Sequence, residues 1–361
     1  MSKHAAHQPG LLAHCSSPIA HRPSPNSPPT YNGSVNSSPR TGEFALIQRL
    51  ASVLGADAPP DLVAGIGEDA AAWRLGGEVL LATTDTMVAG VHFLPGRVPW
   101  PDVGWKALAA NLSDIAAMGG TPLFALVTLG LPVDQQEDDI EALYAGLAEC
   151  ARCYGVTVAG GDIVRAGETF VSIALLGRAE LRDGEPLLLR RDGAREGDLI
   201  AVTGTLGDSA AGLQRVREGA PAADALVQRH LRPQPRLAAG IAAVRAGIRC
   251  GIDVSDGLLQ DTGHICEMSG LGAELDADAL PLCAALRQAY PDDALRHAAS
   301  GGEDYELVLI GPRGSLEAIR TDVPLTVIGR MVAGAPRARL LDGDGRERAF
   351  EKAGFDQLRD A

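Results

Sequence analysis

The chain has 361 residues, 46% of them hydrophobic and 22% charged, which is the composition of a folded protein long enough for two domains. Its 46 acidic residues outnumber 32 basic ones, giving a formal net charge of −14 with no basic block, so nucleic acid is not an expected partner. Every long apolar stretch is interrupted by Gly, Pro or a charge, and no transmembrane helix is supported.

Residues 1–41 are rich in Ser, Pro and His, and the first acidic residue is Glu43. That composition predicts a disordered extension, without the apolar core of a secretory signal. From Glu43 the pattern becomes globular: Phe44, Leu46, Ile47, Leu50 and Leu54 predict an amphipathic helix. Val79–Thr84 reads as a strand ending at Asp85, and Trp105–Met118 as a helix stopped by Gly119-Gly120. Phe124–Leu131 predicts a strand, Asp138–Tyr154 a helix, and Val156–Ala159 and Phe170–Leu176 two further strands. Turns at Arg182-Asp183-Gly184 and Asp192-Gly193 predict a boundary, dividing the globular part into domains 42–185 and 186–361. The second domain opens on the strand Asp198–Thr203 and a helix over 208–218. A turn at His230–Arg236 then leads into another helix, and later strands fall at 252–255, 305–310 and 325–328. Strands joined by crossover helices predict an α/β (α+β) fold with mixed sheets.

Six cysteines show no paired framework, and Cys150-x-x-Cys153 stands alone, so reduced thiols in a cytoplasmic protein are expected.

The chemistry lies in short acidic clusters set among glycines and hydroxyl residues. They are Gly65-Ile66-Gly67-Glu68-Asp69, Thr83-Thr84-Asp85-Thr86, Asn111-Leu112-Ser113-Asp114, Gly160-Gly161-Asp162 and Asp253-Val254-Ser255-Asp256-Gly257. Converging carboxylates repel one another and any phosphate, so such a site makes sense around hard divalent cations, which take oxygen ligands and relay charge to a phosphate ester. On the predicted helix, Asp114 lies off the apolar stripe of Trp105, Leu108, Leu112 and Ile115. Asp253 is a charge inside an apolar strand, costly to bury unpaired. A Thr/Asp turn explains Asp85 as well as a ligand does. A helix cap explains Asp256, and a hairpin explains Gly160-Gly161. Glu303, after Gly301-Gly302, is held either at a cleft or in a plain loop. No Walker A sequence, protein-kinase catalytic loop or Ser-His-Asp set is present.

Taken in order, these segments resemble the thiamine-monophosphate kinases of the aminoimidazole ribonucleotide synthetase-like superfamily. The stretches that carry the likeness are the Gly-Ile-Gly-Glu-Asp run, Thr83–Phe93, Trp105–Gly119, Gly160–Asp162, Val202–Leu213, Asp253–Leu258 and Gly301–Leu307. The likeness as a whole runs from about Glu43 to Phe355, nearly all of the globular part. The resemblance implies ATP-dependent phosphorylation of thiamine monophosphate to thiamine diphosphate on a two-domain fold whose N-terminal domain forms a homodimer. It implies that Asp69, Thr83, Thr84, Asp85, Asp114, Asp162, Asp253 and Asp256 hold several Mg2+ ions. Gly161, Asp162, Arg191, Ser255 and Tyr144 would contact ATP, and His92, Glu303 and Phe355 the thiamine phosphate. Asp85, Asp114 and Asp162 would be the catalytic set. Glu68, Ile163, Val164 and Phe355 depart from the usual pattern. The alternatives are another ATP-dependent synthetase of the superfamily and a metal-dependent phosphohydrolase.

Overall fold

A computed structural model describes residues 42–54 and 59–358; the expected extension over residues 1–41 lies outside the described residues. The first half runs α1 (Glu43–Leu54), β1 (Leu62–Ala64), β2 (Ala71–Leu75), β3 (Glu78–Val88), α2 (Trp100–Ala117), β4 (Thr121–Leu131), α3 (Glu137–Tyr154), β5 (Thr157–Arg165), β6 (Phe170–Arg178), β7 (Glu180–Arg182) and β8 (Glu185–Leu187). Six of these strands form one sheet in the order β1-β2-β3-β6-β4-β5. Its pairings are antiparallel apart from β4–β5, the pair joined by the crossover helix α3.

Helix α2 packs on one face of this sheet, and from Asp102 to Ala117 every residue except Asp114 is buried. A helix apolar almost all round belongs to a core, and small residues let its neighbours approach. A Cβ at Gly104 would collide with the Leu143 carbonyl, and one at Gly146 with that of Pro101, so α2 and α3 meet backbone to backbone. The opposite face of the sheet is open: Phe124 is 48% exposed, Leu126 45% and Leu176 37%.

The second half runs β9 (Leu199–Thr203), α4 (Asp208–Glu218), α5 (Ala225–Leu231), α6 (Leu237–Arg245), β10 (Cys250–Asp253), α7 (Leu258–Ser269), β11 (Gly272–Asp276), α8 (Ala284–Ala289), α9 (Ala294–Ser300), β12 (Leu307–Gly311), α10 (Arg313–Ala318), β13 (Leu325–Val332) and β14 (Ala338–Leu341). Its sheet has the order β10-β12-β9-β13-β11-β14. Ile200, Val202, Val308 and Ile310 pack against α7 and α9 on one face. Ala201, Leu307 and Leu309 pack against α6 and α10 on the other, in a core that also takes in Ala116 and Ala117 of α2. Helix α2 therefore serves both sheets. The mixed α/β (α+β) class read from the sequence is the observed one.

Three local expectations change. Asp85 is not at a strand end, because β3 continues to Val88 while Thr84, Asp85 and Thr86 pair with Ala174, Ile173 and Ser172. Gly160-Gly161-Asp162 is not a turn but the middle of β5, paired with Leu126, Val127 and Thr128. Gly161 is required there because any Cβ would meet the Val127 carbonyl. His230 and Leu231 belong to α5 rather than to a turn, since Asp224 caps that helix by accepting from the Leu226 and Val227 amides. Helix α1 forms as expected but buries none of its residues.

Candidate metal and phosphate site

One turn of α2, Asn111 to Asp114, is hydrogen-bonded to a strand from each sheet. On the β3 side, Thr83 Oγ1 donates to Asp114 Oδ2 at 2.5 Å, and the Asp85 amide donates to Asn111 Oδ1 at 3.1 Å. On the β10 side, Ser113 Oγ donates to Asp253 Oδ2 at 2.5 Å. Carboxylate oxygens of Asp69, Asp114 and Asp253 consequently lie within 4.8 Å of one another. Arg191 Nη2 holds Asp69 Oδ1 at 2.5 Å, while Asp69 Oδ2 and Arg191 Nε are buried without a hydrogen-bond partner.

So many carboxylates cannot all be ionised in a buried space without compensation. Burial, then the charges of Glu43 and Asp69, raise the Asp85 carboxyl to about 6. Burial and Asp69 raise Asp253 to about 8, and burial and Glu43 raise Asp256 to about 7. Asp114 is driven well above the usual carboxylate range by burial, then by Asp85, Asp253 and Asp69. Arg191 is the cation opposing the Asp69–Asp253 group. The orphaned Asp69 oxygen and a donor set made of carboxylates and hydroxyls fit a hard divalent cation such as Mg2+.

Asp256, Asp261 and His264 form a neighbouring group, again with ligand atoms within 4.8 Å. Asp261 has a structural role here, since its Oδ2 accepts from the amides of Ser255, Asp256 and Gly257 and so fixes the strand-to-helix turn. The capping suggested for Asp256 is not observed, since α7 starts after Gly257 without a side-chain cap, and Asp256 accepts from the Gln260 side-chain amide at 3.1 Å. Phe355 sits alongside, its amide donating to the Asp256 carbonyl at 3.1 Å.

Glu303 and Tyr305 have left-handed backbone conformations, φ 65° and 51°, in the loop before β12. Such geometry is uncommon for residues other than glycine and clusters at functional sites. The Glu303 amide donates to the Ser255 carbonyl at 2.7 Å, tying this loop to the Asp253–Asp256 turn. His92 accepts the Val88 amide on Nδ1 at 3.0 Å, lies 3.1 Å from the Gln357 side-chain amide through Nε2, and is among the groups facing Glu303.

Some expected residues are not gathered here. Strand alternation puts Thr84 on the open face of the sheet, opposite Thr83 and Asp85. The same face carries Asp162, registered through Thr128 and Ser172 with Thr86, three strands from β3 and so about 14 Å across the sheet. Gly161 lies in that edge strand, and Tyr144 packs against the first core from α3. Conversely, sequence reasoning did not assign Asn111, Ser113, Glu43, Lys106 or His230. Lys106 carried a usable signal, a charge in an otherwise apolar run. Glu43 did not, because its nearness to Asp85 and Asp256 depends on where α1 lands.

The model of the AIR synthase related protein, N-terminal domain, matches residues 67–179, and that of the C-terminal domain matches residues 195–339. The chain is 42% identical over 304 residues to thiamine-monophosphate kinase of Escherichia coli (strain K12), covering 81% of this chain and 91% of the relative. It is 36% identical to the Aquifex aeolicus thiamine-monophosphate kinase, covering 81% and 92%. A solved structure of AaThiL complexed with AMPPCP and TMP superposes with a TM-score of 0.75 at 35% identity, over 88% of this chain and 97% of that one. Hydrogenase maturation protein HypE in complex with ATP shares the fold, at a TM-score of 0.65 and 20% identity over 85% and 90%.

Proposed function

The chain belongs to the thiamine-monophosphate kinase family of AIR synthase related proteins, a family of phosphotransferases, and from that premise we propose that it transfers the γ-phosphoryl of ATP to the phosphate of thiamine monophosphate. The products are ADP and thiamine diphosphate, formed by direct in-line displacement in the last step of thiamine diphosphate biosynthesis. The observation that carries this reading is the convergence of Asp69, Asp114 and Asp253 around one turn of α2.

Asp69, Thr83, Asp85, Asp114, Asp253 and Asp256 would hold Mg2+. Bound there, Mg2+ neutralises charge on the phosphates and relieves the repulsion between two anionic substrates. Arg191, oriented by Asp69 and with its Nε unpaired, is set to donate to ATP phosphate oxygens, with Ser255 on the facing turn. The attacking atom is a phosphate oxygen already ionised near neutral pH, so no strong general base is required. His92, Glu303 and Phe355 bind the thiamine phosphate and align it.

Residues 42–185 form the ATP- and metal-binding domain and residues 186–361 the second domain. The open sheet face with Phe124, Leu126 and Leu176 supports a homodimer through the first domain. Asp162 and Thr84 lie on that face, so ATP and metal contacts from them belong to the dimer, whereas Gly161 registers with Val127 on the other face and Tyr144 packs against the first core. A reducing cytoplasm accords with the free thiols Cys150, Cys250 and Cys266, all buried. Among the described residues no helix is long and apolar enough to cross a membrane.

The test is incubation with ATP, Mg2+ and thiamine monophosphate, followed by mass analysis. Thiamine diphosphate appearing one-for-one with ADP supports the kinase. Inorganic phosphate released without the thiamine ester indicates a hydrolase, and ATP left unconsumed indicates a synthetase that needs another acceptor.

A further inference from the structure

Behind Glu303 lies a polar cluster that the phosphoryl transfer itself does not use. Lys106 Nζ is 2.7 Å from Glu303 Oε1, and His230 Nδ1 is 3.5 Å from Oε2. Lys106 also lies 3.5 Å from both ring nitrogens of His230, and Ser209 Oγ is 3.0 Å from His230 Nδ1. Ser209 is itself fixed, because Asp304 accepts its amide at 3.0 Å and that of Gly207 at 2.6 Å. The Lys106 and His230 side chains are 4% and 3% exposed, while Glu303 keeps 28%. The carboxylate is therefore gripped from inside and remains partly exposed.

We propose that Lys106 and His230 are positioning residues, a buried clamp that holds the Glu303 carboxylate charged and in one orientation against the cationic thiamine moiety of the substrate. The proposal rests on the reading of Glu303 as a substrate contact. Three observations agree on it. The Glu303 backbone is left-handed, so its side chain is aimed by the loop rather than free to choose. The groups facing Glu303 are Lys106 from α2, His230 from α5, His92 from the segment after β3 and Tyr305 of its own loop. Of these, His230 is held down to about 3 by burial and by Lys106, and His92 is lowered by burial, so both are neutral at pH 7. Lys106, as a charge and as a hydrogen-bond donor, is the main group that offsets the burial of Glu303.

The test is steady-state kinetics of the full chain with thiamine monophosphate and with ATP, at about pH 7 and about pH 9, on the wild type, Lys106→Met, Glu303→Gln and the double variant. At pH 7, Lys106→Met raises KM for thiamine monophosphate about tenfold, with little change in kcat or in KM for ATP. The increase relative to wild type shrinks at pH 9, where a Glu303 without its cation ionises again. The double variant is no worse than Glu303→Gln and has no pH dependence, as expected for two groups acting as one. An unchanged KM, or a rise equal at both pH values, overturns the proposal. If Lys106→Met does not fold, Ser209→Ala carries the test: KM for thiamine monophosphate rises about threefold with KM for ATP constant, and no rise overturns it. The wild type is assayed first. Its failure to make thiamine diphosphate refutes the kinase reading, whereas an active wild type with unmoved variants refutes only the clamp.

Discussion

Asp114 concentrates the conflict on which the site is built. It is half-buried beside three other carboxylates, takes a hydrogen bond from Thr83, and is driven far above its ordinary ionisation range by those surroundings. Such a group is maintained against stability, so its removal separates function from folding. Replacing Asp114 with Asn lowers kcat by about a hundredfold or more while leaving the thermal midpoint of the metal-free protein unchanged or higher, as activity and calorimetry run side by side will report. The ionisation of the same residues dictates a pH response. Asp253 and Asp256 have folded-state values of about 8 and about 7, above their unfolded values, so the metal-free fold gains stability from their protonation and loses it as pH rises. Buried His230 acts in the opposite direction only below its unfolded value of about 6.5. Between about pH 6.5 and 8.5 the metal-free midpoint therefore falls, and Mg2+ raises it more at the upper end than at the lower. A midpoint that climbs across this window without metal would contradict the carboxylate assignment.

At the scale of elements, helix α2 is the part on which the site depends. It is buried nearly all round, it meets α3 through glycines, and its last turns join the cores of both sheets. Gly146→Ala forces a methyl group into the Pro101 carbonyl, so it lowers stability by about 1–3 kcal/mol and reduces activity by tilting α2. Chemical denaturation together with kcat measures both effects, and a stable, fully active variant would show that α2 is not held by this contact. The sequence disclosed α2 well because its periodicity and its Gly-Gly stop are local signals. It did not disclose the course of β5, because glycines that read as a turn are there for close packing against Val127. Asp85 was misread for a similar reason. A Thr-Asp-Thr run resembles a turn until the partner strand β6 is present to continue the ladder.

For the whole molecule, the sequence made the acidic inventory plain, since five clusters in a chain without a basic block call for cations. Which clusters meet is a tertiary matter. Asp69, Asp114 and Asp253 come from a loop, a helix and the opposite sheet, whereas Asp162 lies on the far face of the first sheet. Lys106 and His230 were invisible as a pair because 124 residues separate them and only the packing of α5 on α2 brings them together. Activity hangs on one arrangement, a ring of carboxylates closing on hard cations between two anionic substrates. Mn2+ titration followed by electron paramagnetic resonance, in the presence of a non-hydrolysable ATP analogue, addresses it directly. Wild-type protein should bind the ion, and Asp114→Asn and Asp253→Asn should each weaken binding by about tenfold or more. Equal affinity in all three proteins would contradict it.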